Sequence, residues 1–323
     1  MAALVIIALS AGIYLANASW LAHPSGKPSI LAHRGVSQTF SEAGVDDLTC
    51  TATRIDPPVH AFLENTIPSL RRAFELGASV VEIDIQPTTD GEFVVFHDWT
   101  LDCRTDGHGV TRDHSLAHLR ALDIGHGYTA DGGRTHPFRG KGYGSMPTLG
   151  EVLAAFPSQG LLINVKSNDA AEGDRLARYL ATRDPVGLGR LSVIGGPRPV
   201  ARLKAVLPQL RAFSSEQFKT CAKRYVALGW SGYAPEACRN ILVFVPQRQA
   251  WMVWGWPNRF LARMHAMGSE VYVAGDLKLD GHQTILGFND PARLGDLPSG
   301  WRGGVSTDRI DLIGPALARR QAP

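Results

Sequence analysis

Short apolar segments alternate with helical stretches along almost the whole chain after Lys27, and this alternation limits the fold more than any other feature. The strand candidates are 30–33, 79–85, 93–97, 161–166, 191–194, 211–214, 241–245, 271–274 and 303–307. Helices are expected over 67–76, 174–182, 199–206, 216–228, 258–267 and 312–319. Asn65-Thr66 ahead of Pro68 starts the first of them, and Gly77 stops it. Strands separated by helices belong to a parallel sheet, and 323 residues suit a closed (β/α)8 barrel. The expected class is therefore α/β, a TIM barrel.

One pair breaks the alternation. Segments 79–85 and 93–97 are joined by QPTTDGE, with no room for a helix and with Asp90-Gly91 as a hairpin signal. If those two residues are the turn, Asp84 lies opposite His97. The pair also reduces the strands to a barrel's eight plus one hairpin return. Two long inserts follow, 36–62 after the first strand and 99–147 after His97. Both leave the C-terminal end of the barrel, where barrel enzymes keep their sites.

The N-terminus and cysteines bear on compartment. No formal charge precedes Lys27, and 2–16 is mostly apolar. Residues 1–24 read as a signal peptide or a single-pass membrane anchor, and 25–323 as the barrel domain. Ala16-Asn17-Ala18 offers a cleavage site, whereas Trp20 and Leu21 suit a membrane interface. The expectation is export to the periplasm or cell envelope, secreted or membrane-attached. Cys50, Cys103, Cys221 and Cys238 contain no CxxC pair, which excludes zinc-finger spacing. Three connectivities are open; the two long loops favour Cys50–Cys103, and the short helix and Gly-rich turn favour Cys221–Cys238. Lys+Arg 33 against Asp+Glu 30 gives +3, scattered, so no nucleic-acid partner is expected.

Along 79–85, Val81, Ile83 and Ile85 point one way, Glu82 and Asp84 the other. Two acids on one face of an apolar strand are costly unless paired or bound to a metal. Oxygen donors suit Mg2+ or Ca2+. His33-Arg34 ends the first strand and His97-Asp98 the hairpin return. Two histidines at one mouth can serve as acid and base, and an arginine can hold a phosphate oxygen.

These segments carry a resemblance. LAHRG (31–35), ENTIPSLRRAFELGASVVEIDIQPTTDG (64–91), VVFHD (94–98), MPTLGEVL (146–153) and STDRI (306–310), in this order and spacing, resemble the glycerophosphodiester phosphodiesterase family. The resemblance implies a TIM barrel, a divalent metal (Ca2+ or Mg2+) and release of sn-glycerol 3-phosphate and an alcohol from phosphodiesters. It implies His33 and His97 as the acid/base pair, Arg34 as phosphate binder, and Glu82 and Asp84 as metal ligands. Glu64 would support them, and the insert at 99–147 would cap the site. The family usually has Glu-x-Lys on the fourth barrel strand; here the text is Asn164-Val165-Lys166. Lys166 keeps a substrate-binding place, while a neutral Asn164 as third ligand implies weaker metal binding. The aromatic strand near the C-terminus is altered to VYVAGD (271–276), leaving Trp251, Trp254 and Trp256 as a substrate wall or as packing. The expected substrate is a small glycerophosphodiester or a lysophospholipid, with membrane attachment through the N-terminus. Rival readings are a lysophospholipase D or sphingomyelinase D, and a catalytically silent binding module.

Overall fold

The computed structural model describes residues 1–46, 49–279 and 283–321. Its strands are β1 (Ser29–His33), β2 (Val80–Pro87), β3 (Phe93–Val95), β4 (Gly160–Val165), β5 (Leu191–Gly195), β6 (Arg211–Ser214), β7 (Leu242–Pro246), β8 (Glu270–Ala274), β9 (Leu277–Leu279), β10 (Gln283–Ile285) and β11 (Gly304–Thr307). Its helices are α1 (Ala2–Asn17), α2 (Ile67–Glu75), α3 (Leu116–Arg120), α4 (Leu149–Ala155), α5 (Ala170–Leu180), α6 (Pro185–Gly189), α7 (Pro197–Val206), α8 (Ser215–Leu228), α9 (Asn258–Ala266) and α10 (Ile310–Gln321).

Eight parallel strands run in the order β6-β5-β4-β2-β1-β11-β8-β7. Among the described residues no ladder joins β6 to β7, so the ring is a nearly closed TIM barrel. Its logic is visible in β2. Val81, Ile83 and Ile85 are fully buried in the main core with Leu70 and Ala73 of α2. Each such aliphatic side chain contributes roughly 1.5–3 kcal/mol by burial. Glu82 and Asp84 alternate with them and face inward. Capping fixes the helix starts: Thr66 Oγ1 accepts from Ser69 N at α2, with Pro68 in its first turn. At α4, Thr148 and Glu151 form a reciprocal capping box, although no helix was expected there.

The hairpin is present, but its register is one residue from the expected one. Ile85 pairs with Val95, Gln86 with Val94 and Pro87 with Phe93. Asp84 therefore stands against Phe96, whose N–H donates to Asp84 O at 3.0 Å, and not against His97. The cause is the turn. Thr88 N–H donates to Glu92 O at 2.9 Å, which encloses three residues, and Gly91 takes φ +96° at the last of them. A one-residue slip would turn His97 away if the strand continued. β3 ends at Val95, so strand alternation does not govern His97.

The two inserts form a second core. Ala52, Ile55 and Leu63 pack with Leu101, Leu119, Tyr128 and Phe138, and with Val94 and Phe96 of the hairpin. Cys50–Cys103 joins them, and Cys221–Cys238 ties α8 to the turn before β7. Both pairs are those expected.

α1 has no buried residue. Its end is clamped: Arg263 Nη2 donates to Ala16 O at 2.8 Å, Arg263 Nη1 to Asn17 Oδ1 at 3.0 Å, and Asn17 Nδ2 to Trp230 O at 2.7 Å. No described helix is long and apolar enough to cross a membrane.

Candidate active site

The ends of β1, β2, β4 and β11 and the hairpin return bring seven of the expected residues together with Asp308. His33 is the last residue of β1. The next residue, Arg34, adopts φ +57°, a conformation that costs a non-glycine residue of order 1 kcal/mol and is held by its surroundings. Arg34 N–H donates to Glu82 O, and Arg34 O accepts from Asn65 N–H, both at 3.1 Å. Gly35 is required, because a Cβ there would sit 2.3 Å from Ser69 Oγ.

Asp84 is the centre. It is fully buried, and its carboxylate meets four groups: Arg34 Nε at 3.3 Å, Asn65 Nδ2 at 3.0 Å, Asn164 Nδ2 at 3.0 Å and Lys166 Nζ at 3.4 Å. Burial alone would raise its pKa, but Lys166, His97, Arg34 and His33 hold it well below the usual carboxylate range. Glu82 differs. Burial and the adjacent Asp84 push its pKa up to about 7. Its Oε2 is buried with no hydrogen-bond partner and lies 3.8 Å from His33 Nε2.

Each histidine is held at Nδ1 by a carboxylate. His33 Nδ1 donates to Asp308 Oδ1 at 2.6 Å, and Asp308 Oδ2 accepts from Asn289 Nδ2 at 2.9 Å. His97 Nδ1 donates to Asp98 Oδ1 at 2.7 Å. This fixes the tautomer and leaves each Nε2 for chemistry. The environments differ. Burial and Arg34 lower the His33 pKa, but Glu82 and Asp308 outweigh them and it is raised. At His97, burial and Arg34 prevail over Asp84 and Asp98, and the pKa is lowered.

Glu64 lies one step out. Its Oε1 accepts from Arg34 Nη1, and its Oε2 pairs with Arg104 Nη1, both at 3.1 Å. Asp98, Asp308, Asn65, Asn289 and Arg104 complete the cluster and were not assigned roles from sequence. Asp98 and Asp308 stand inside the VVFHD and STDRI segments, which was the available signal. Two expected wall residues lie elsewhere: Trp256 packs on Phe260 and Trp301, and Trp254 Nε1 donates to Val226 O of α8. The packing alternative holds for Trp256, which lies against the main core, whereas Trp254 is 39 % exposed. Trp251 is 81 % exposed.

The donor set suits a hard divalent cation. Glu82 presents a buried carboxylate oxygen without a hydrogen bond and Asp84 adds carboxylate oxygens beside it, while Asn164 turns its amide Nδ2 to Asp84 Oδ1 at 3.0 Å and would have to present its carbonyl oxygen instead to ligate. The set is one carboxylate short, and among the described residues no three His, Cys, Asp or Glu form a metal-holding group.

The paired imidazoles, the arginine and the inward acids thus stand at the C-terminal mouth of a parallel barrel, where TIM-barrel enzymes keep their sites. The model of the glycerophosphoryl diester phosphodiesterase family matches residues 33–195, and the chain belongs to that family. It is 38% identical over 103 residues to a glycerophosphodiester phosphodiesterase of Caldanaerobacter subterraneus, covering 32% of this chain and 39% of that one. It is 36% identical over 114 residues to that of Bacillus subtilis, covering 34% and 38%. The chain thus spans about two fifths of the length of these relatives. An Oleispira antarctica phosphodiesterase solved with sn-glycerol-3-phosphate shares the fold, with TM-score 0.55 and 21% identity over 90% of this chain and 97% of that one.

Proposed function

We propose that this protein is a metal-dependent glycerophosphodiester phosphodiesterase that releases sn-glycerol 3-phosphate and an alcohol. The observation that carries the reading is the pair of imidazoles, each locked at Nδ1 by a carboxylate, at the same mouth as Arg34 and Lys166. Arg34 binds the phosphodiester oxygens, and Lys166 adds a second positive charge on the same side. One imidazole Nε2 takes the proton of the attacking oxygen, which belongs to water or to the substrate's own glycerol hydroxyl; the latter forms a cyclic phosphate that water then opens to sn-glycerol 3-phosphate. The other protonates the departing alcohol oxygen as the phosphorus–oxygen bond breaks. Asp98 and Asp308 stabilise each imidazolium as it forms. Glu82, Asp84 and Asn164 would hold the divalent metal, Ca2+ or Mg2+, which supplies Lewis-acid stabilisation of phosphoryl charge when bound.

The protein acts outside the cytoplasm in this reading, since two disulfides suit an oxidising compartment. α1 attaches it to a membrane surface: Leu4, Ile6, Ile7 and Leu9 are each more than half exposed, with Trp20 and Trp230 near the helix's base. A lysophospholipid presented at that surface is the second substrate this favours. Phosphorus NMR of glycerophosphocholine and lysophosphatidylcholine incubated with the enzyme, with and without EDTA, tests the reading. Appearance of sn-glycerol 3-phosphate from the first, abolished by EDTA, supports it. Lysophosphatidic acid from the second alone would move the assignment to a lysophospholipase D, and no product from either would leave a binding module.

A further inference from the structure

Arg104 lies in the insert, not in the barrel, yet its guanidinium reaches both halves of the site. The side chain is 4 % exposed. Nε pairs with Asp98 Oδ2 at 2.9 Å and Nη1 with Glu64 Oε2 at 3.1 Å. Nη1 also donates to Tyr128 Oη at 2.6 Å, and Nη2 to Thr51 Oγ1 at 2.8 Å. The Tyr128 ring centre lies 5.3 Å from Arg104 Cζ. Burying a lone guanidinium is costly, so two carboxylates and two hydroxyls on one group mark a built arrangement.

The far oxygens of those carboxylates give it a purpose. Asp98 Oδ1 holds His97 Nδ1, and Glu64 Oε1 holds Arg34 Nη1. The tether gives it permanence. Cys103 precedes Arg104, Cys50 precedes Thr51, and Cys50–Cys103 bonds the two segments.

We propose that Arg104 is a positioning residue that sets His97 and Arg34 relative to each other through Asp98 and Glu64, with the Cys50–Cys103 bridge fixing its anchor points. Its kinetic consequence rests on the phosphodiesterase reading; its geometry does not. The planar fork matters, because it spaces two carboxylates, which a lysine ammonium as a point charge cannot do.

The test compares Arg104→Lys, Asp98→Asn and Glu64→Gln with wild type for unfolding temperature, kcat and KM on glycerophosphocholine, and nitrogen-15 spectra of the His97 imidazole. Asp98→Asn is expected to act mainly on kcat and Glu64→Gln mainly on KM. Arg104→Lys is expected to worsen both, by roughly ten- to hundredfold, the usual scale for outer-sphere partners. The His97 spectrum of Arg104→Lys should lose the single Nδ1–H tautomer. Wild-type kcat, KM and His97 spectrum in Arg104→Lys would overturn the proposal. Should that variant not fold, Thr51→Val, which removes only the Nη2 bond, carries the test. A lower kcat with shifted His97 resonances supports the proposal, and no change in either overturns it. The spectra need no substrate. A wild type without turnover would therefore sink the phosphodiesterase reading and leave the Arg104 test standing.

Discussion

Asp84 shows at the scale of one residue how this site is balanced. Arg34, Asn65, Asn164 and Lys166 meet its carboxylate, while Glu82 beside it has a buried oxygen with no hydrogen bond. Asn164 is where charge is missing. Replacing it by aspartate adds one negative charge next to Asp84, and calorimetric titration with Mg2+ or Ca2+ should show binding at least about tenfold tighter than wild type. Unchanged affinity would place Asn164 outside the coordination sphere. Catalysis need not improve, since added negative charge also repels the phosphodiester. His33, Arg34, Glu82, Asp84 and His97 were legible because costly side chains crowd the ends and one face of apolar strands. Arg104 was not. Its partners Thr51, Glu64, Asp98 and Tyr128 come from separate loops, and no periodicity in the sequence relates them.

At the scale of elements, the inserts and bridges decide what the barrel carries. Cys50 and Cys103 are 53 residues apart, and Cys221 and Cys238 are 17 apart. Loop-closure entropy assigns about 4 kcal/mol to the first bridge and about 3 kcal/mol to the second. Urea unfolding of the two Cys-pair→Ala variants should show losses near these sizes. Only the first should also lower kcat, because it frees the segments carrying Thr51 and Arg104. Equal kcat in both variants would separate the bridge from the site. Long strands and long helices were readable here from their patterns. The short α3, α4 and α6 were not, since five to seven residues are too few to display a helical period. The hairpin was readable but not its register, because Asp90-Gly91 fits both a two-residue turn and the three-residue turn found.

At the scale of the whole molecule, alternation of strand and helix was enough for the barrel, since right-handed crossovers leave few other ways to arrange parallel strands. The docking of the inserts was not accessible that way. The buried site also sets how the fold responds to acid. Burial would raise the Asp308 pKa, but His33 and Asn289 bring it down to about 2. A carboxylate depressed in the folded state stabilises the fold above its unfolded value and loses that contribution as pH falls. Stability against urea should therefore decline between about pH 4 and pH 2, and Asp308→Asn should flatten part of that decline. An unaltered acid limb in the variant would show that the His33–Asp308 contact adds nothing to stability.

If two imidazoles perform phosphodiester cleavage here, the most direct measurement of it is kcat for sn-glycerol 3-phosphate release from glycerophosphocholine by wild type, His33→Ala and His97→Ala, each checked for native unfolding temperature. Metal-supported turnover in wild type and a loss of at least about a hundredfold in each variant are the results expected of a shared acid/base role. Near-full activity in either variant, or no release by wild type with any divalent cation, would contradict it.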